Sequence, residues 1–130
     1  MTKDEIIRYW VKSANQDYRV MESLFDNGHF GWSLFIGHLV LEKLLKAYLI
    51  KKKGFDVPYT HQLLKIAQMA ELPLNDDQEN FLLEVTTFNI SSRYPDYKQR
   101  FQKKSTRSFT EKYLLKIKEF RRWLLKEIKK

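Results

Sequence analysis

Cysteine is absent from this 130-residue chain, and glycine, proline and histidine are scarce at four, three and three. Without thiols there is no disulfide scaffold, no thiol catalysis and no Cys-ligated zinc or iron–sulfur centre. The three histidines, His29, His38 and His61, include no His-x-x-x-His pair, so neither a metal nor another cofactor is expected. A glycine-rich phosphate loop and a serine-centred nucleophile elbow are missing too. No apolar run approaches the roughly 20 residues of a membrane span. The polar opening Met-Thr-Lys-Asp-Glu-Ile lacks the basic-then-apolar order of a signal peptide. A cytoplasmic protein without a membrane partner is the expectation.

What is present fits one domain over residues 1–130, with 43% apolar and 31% charged residues. The net charge of +8 is unevenly spread. Residues 98–130 carry 13 Lys/Arg against 3 Asp/Glu, whereas residues 1–97 carry 11 against 13. A concentrated basic element is the footprint of a polyanion partner, or else of a solvated basic helix face.

Between the few breakers, apolar residues recur at spacings of three and four, which predicts an all-α protein. Five helices are expected. The first opens on a Thr2-to-Glu5 capping box and stops near Asn27-Gly28, with Ile7, Trp10, Ala14, Met21 and Leu24 on its apolar face. The second, from about 30 to 53, is apolar on most sides, which demands a central position or a face covered by a second subunit. A shorter helix capped by Thr60 ends before Pro73, and Asn75 to Gln78 caps a fourth that fails around residues 90–92. Residues 91–108 read as a long irregular stretch, and a capping box from Ser108 to Glu111 opens the last helix. The implied architecture is an antiparallel up-and-down four-helix bundle with one additional short helix.

Several polar residues sit in unusual places. His38, Glu42 and Lys46 follow one another at i, i+4 and i+8, on one line of an otherwise apolar helix. They form either a polar seam or a partly exposed face with a local Glu42–Lys46 pair. Asp17 falls within the apolar stripe of the first helix, where it needs a partner such as Lys43 or Lys46. His61, beside Thr60, reads as a capping or loop-anchoring imidazole. Arg93, Tyr94, Asp96, Tyr97 and Lys98 place a guanidinium, two phenols, a carboxylate and an ammonium just after a helix end. That set suits phosphate and a stacked base, or an ordinary turn in which Asp96 pairs with Arg93.

Trp10, Ala14 and Asp17, the run Glu42-Lys43-x-x-Lys46-Ala47, Thr60-His61-x-Leu63 and Arg93-Tyr94-Pro95-Asp96 together resemble the HEPN domain family, over essentially the whole chain. The resemblance implies a helical bundle that forms homodimers and is often paired with a minimal nucleotidyltransferase in toxin–antitoxin systems. It implies a nucleotide or RNA as ligand. Ribonuclease members of that family carry a histidine shortly after the arginine; here the corresponding positions hold Lys98, Gln99 and Arg100, so no catalytic residue is assigned. A binding protein is the leading expectation. The alternatives are a metal-independent endoribonuclease toxin relying on Arg93 and a purely protein–protein interaction module.

Overall fold

The computed structural model describes every residue except Phe55, and for residues 90–93 and 95–97 it describes the backbone without the side chains. Six helices and no strand occur among the described residues: α1 (Lys3–Asp26), α2 (Phe30–Lys53), α3 (Leu63–Met69), α4 (Asp76–Arg93), α5 (Pro95–Lys104) and α6 (Arg107–Lys129). No helix among them is long and apolar enough to cross a membrane.

The all-round apolar character of α2 is consumed within the chain. It packs against α1, α3, α4, α5 and α6, and Leu34, Leu41, Leu44, Leu45 and Ala47 are fully buried. The breadth of its apolar surface therefore reflects a central position and needs no second subunit to explain it. Ala14 and Met21 from α1, Leu82 and Val85 from α4, and Ile117 and Leu124 from α6 complete the core around it. Gly37 lets the helices approach closely: a Cβ there would stand 2.7 Å from Ile117 Cδ1 and 3.2 Å from Met21 Sδ. Gly37→Leu is expected to lose about 1–3 kcal/mol through overpacking, read as a lower midpoint in urea.

Local signals at the helix ends are partly realised. Asn75 and Gln78 form the full reciprocal capping box. Thr2 accepts from the Glu5 N–H at 3.1 Å, but the Glu5 carboxylate meets the Thr2 hydroxyl instead of the backbone, so that box is half made. The α3 cap is Gln62, not Thr60; the Thr60 hydroxyl instead accepts from the Gln62 N–H, just ahead of the helix. Likewise α6 is capped by Thr106, whose hydroxyl accepts from Phe109 N–H, and Ser108 and Glu111 lie inside the helix.

The larger correction concerns residues 91–108. The helix α4 runs on to Arg93, only Tyr94 breaks the path with extended angles (φ −106°, ψ 125°), and α5 starts at once on Pro95. Proline disfavours helical geometry at the residue before it yet suits the first position of a helix, so Pro95 ends one helix and begins the next. Phe101, buried and with its ring tilted against Phe88 at 5.6 Å between centroids, packs α5 against the bundle.

Candidate functional site

The line His38, Glu42, Lys46 is a buried polar seam: the residues are 0%, 6% and 8% exposed. The seam is not the partly exposed face that its spacing also allowed. Lys46 Nζ donates to Glu42 Oε2 at 2.9 Å, and its ammonium lies 5.8 Å from the Trp10 ring centroid on α1. The other carboxylate oxygen, Oε1, accepts from His61 Nδ1 at 2.8 Å. Burial alone would raise the Glu42 pKa. The hydrogen bonds from Lys46 and His61, with the attraction of Lys46 and His38, outweigh it and hold the carboxyl below its ordinary value. A buried carboxylate needs this degree of pairing, since an uncompensated one costs several kcal/mol.

His61 is bound to the seam twice. Besides its ring bond to Glu42, its backbone carbonyl accepts from His38 Nε2 at 2.8 Å. A carbonyl only accepts, so His38 carries a proton on Nε2, and its Nδ1 faces Asn89 Nδ2 at 3.5 Å. The expected anchoring of the loop by His61 is therefore made through α2, while the capping part of that expectation is not realised. The imidazole itself is 48% exposed.

On the outer side of His61 lies a cleft of about 320 Å3, lined by Tyr59, Thr60, His61 and Gln62 from the loop before α3 and by Thr86, Asn89 and Tyr94 from α4 and its end. Thr86 ties the two walls together: its hydroxyl accepts from Leu63 N–H at 3.1 Å and donates to Leu82 O at 2.8 Å. Among the described residues that line this cleft there is no carboxylate. The larger concavity, about 710 Å3 between α4 and α6, differs in character, with Asp77, Glu84 and Glu119 beside Lys116 and Trp123. Near it Tyr113 donates to Glu84, and burial followed by that bond pushes the phenol up to about 12. Tyr113 is thus a hydrogen-bond donor and not a nucleophile. None of the candidate site residues read from the sequence lines that concavity.

The remaining candidates are dispersed. Tyr94 lines the cleft. Arg93 ends α4 and residues 96 and 97 fall in the first turn of α5, so they flank Tyr94 along the chain, but the side chains of Arg93, Asp96 and Tyr97 lie outside the described residues. Lys98 turns to the start of α2, 4.9 Å from the Trp32 ring centroid. Asp17 pairs with Lys43 at 2.6 Å, and Lys43 also donates to Ser13, which joins α1 to α2 away from the cleft. Among the described residues no group of His, Asp and Glu is placed to hold a metal. Thr86 and Asn89 were missed in the sequence. The available signal was a polar pair three apart on the apolar face that also carries Leu82 and Val85.

The pattern of the HEPN domain matches residues 7–128. The chain is a member of the HEPN domain family, and the motif residues quoted above fall on α1, α2, the start of α3 and the α4–α5 junction. Among solved structures it is similar to TT1696 from Thermus thermophilus, with a TM-score of 0.77, 20% identity, and coverage of 93% of this chain and 97% of that one. No curated protein matches the sequence at a significant level.

Proposed function

We propose that this HEPN domain binds RNA or a nucleotide in the cleft beside His61, with Arg93, Tyr94, Asp96, Tyr97 and the basic α5 at its rim. The observation that carries the reading is the character of the lining. Hydroxyls, amides, an imidazole and phenols converge there, and the nearby carboxylate, Glu42, is already paired with Lys46 and His61. Such a surface admits a phosphate-bearing ligand, whereas the acidic concavity between α4 and α6 repels one. Helix α5, which starts at the cleft, carries Lys98, Arg100, Lys103 and Lys104 against Asp96. Exposed Tyr94 offers a stacking face.

In this reading α1, α2, α4 and α6 are the four helices of an up-and-down bundle and α3 and α5 are short additions. The working unit is a homodimer, associated with a minimal nucleotidyltransferase in a toxin–antitoxin arrangement, and the Arg–His ribonuclease pair of the family is incomplete. The test is fluorescence anisotropy with a labelled single-stranded RNA, with ATP as competitor, beside Arg93→Ala, and the RNA checked on a gel. Binding of intact RNA that weakens at least about tenfold in Arg93→Ala is expected, as for loss of a charge-assisted phosphate contact. Absence of binding to either ligand overturns the reading in favour of a protein partner, and cleavage lost in Arg93→Ala overturns it in favour of a ribonuclease.

A further inference from the structure

Helices α1 and α6 both pack on α2, yet their backbones scarcely approach each other, which leaves a seam between them. On α1 the seam is lined by Ile7, Val11, Asn15, Tyr18, Glu22 and Phe25, at steps of three and four. On α6 it is lined by Glu111, Leu114, Lys118, Arg121, Leu125 and Ile128, where steps of three and four alternate strictly. That spacing keeps one face in line along a helix and is the one with which helices pack lengthwise on further helices. Arg121 bridges the middle: it donates to Asn15 Oδ1 at 3.2 Å, and its guanidinium lies 3.9 Å from the Tyr18 ring centroid. The bridge divides the seam into two depressions, of about 380 Å3 and about 200 Å3.

The two ends carry opposite charge. The larger depression has an apolar floor of Ile7, Val11, Leu125 and Ile128 beside Arg8, Lys12 and Lys129, with no carboxylate in its lining. The smaller one sets Met21, Phe25, Leu114 and Leu115 among Glu22, Asp26 and Glu111, against the single cation Lys118. Leu115 is 56% exposed there. Among the described residues, none of the charged side chains that line the two depressions is in an ion pair. Glu127, next to Ile128, is paired with Lys130 and leaves the basic end basic.

An apolar seam with one basic and one acidic end is complementary to itself turned end for end. A twofold axis crossing it at the Arg121 bridge lays the Arg8 and Lys12 end of one copy over the Glu22 and Glu111 end of the other, and does so twice. A polyanion is repelled by one end and a polycation by the other. We infer that the α1–α6 seam is the face on which two copies of this chain meet, antiparallel, basic end on acidic end. The inference rests on the homodimer of the preceding reading and names the surface that makes it. No residue that lines the cleft beside His61 lines the seam, so interface and cleft are built from different residues.

The test is sedimentation equilibrium of the full chain at low salt, where exposed charges are least screened. A dimer is expected for the wild type. Arg8→Glu with Lys12→Glu makes both ends acidic, and Glu22→Lys with Glu111→Lys makes both ends basic. Each pair of replacements is expected to raise the dimer dissociation constant at least about tenfold, because symmetry counts every like-charge contact twice. An equimolar mixture of the two variants is expected to recover the wild-type dimer, as is a single chain carrying all four replacements. Wild-type dimerisation by both variants overturns the seam and leaves the dimer standing. Weakening without recovery in the mixture overturns it too, since the two ends then do not face each other. A wild type that stays monomeric up to about 100 µM overturns the inference and the homodimer together, and leaves the cleft standing. The four replaced residues are exposed, and a urea midpoint near that of the wild type checks that the variants fold. Should a pair of replacements prevent folding, Lys12→Glu and Glu111→Lys alone make the same comparison.

Discussion

Glu42→Ala is expected to lose about 3–5 kcal/mol of stability, because it leaves the Lys46 ammonium buried without its partner and releases His61 from α2. Urea denaturation at neutral pH measures this. The same side chain sets a pH dependence whose direction follows from its lowered pKa. The folded protein holds the carboxyl below its ordinary value of 4.5, so between the two values the unfolded chain binds more protons and stability rises with pH. The contribution is complete above about 4.5 and is lost as the pH falls through the lower, folded value. Glu42→Gln, which keeps the shape and removes the titration, is expected to flatten that acid limb. An acid limb identical to the wild type would mean that other carboxylates produce it.

The second large effect concerns α5. Arg100, Lys103 and Lys104 are exposed on the helix that starts at the cleft. If each contacts a phosphate of a bound strand, replacing all three by alanine lowers the magnitude of the slope of log K against log salt by about 2, from about 0.7 per contact for single strands. That slope change corresponds to about a hundredfold change in relative affinity over a tenfold change in salt. The control is the double replacement of Lys126 and Lys129 at the other end of α6. It removes charge from the same basic C-terminal quarter without touching α5, and little change in slope is expected. Equal effects per charge in both variants would show that overall charge, and not α5, drives binding.

The elements that were legible in the sequence are those whose information is local. In α1, α4 and α6 a stripe at three and four residues points to the core, and Ile117, Phe120 and Leu124 are buried where the period puts them. Helix α5 was not legible, because Pro95-Asp-Tyr-Lys-Gln-Arg-Phe-Gln-Lys-Lys contains too few apolar residues to show a period, and Pro95 signals a stop as strongly as a start. Buried Phe101 packs it against Phe88, a contact no local pattern announces. The site divides in the same way. His38, Glu42 and Lys46 share a line because four residues make nearly one helical turn, so their alignment could be read directly. The bond from His61 to Glu42 could not, since it closes a 19-residue separation across a loop.

The sequence by itself determined the helical content, the absence of thiol and Cys-metal chemistry, the segregation of positive charge and the motif set that marks a HEPN domain. Tertiary structure alone decided that the polar seam is buried, that His61 stands beside it, and that the basic C-terminal quarter is divided into two helices. The physical reason is range. Helical period and capping act within a few residues, whereas burial of a charge and the choice of its partner depend on which helices pack around it, and here α2 acquires that environment only when α1, α4 and the loop before α3 close over it.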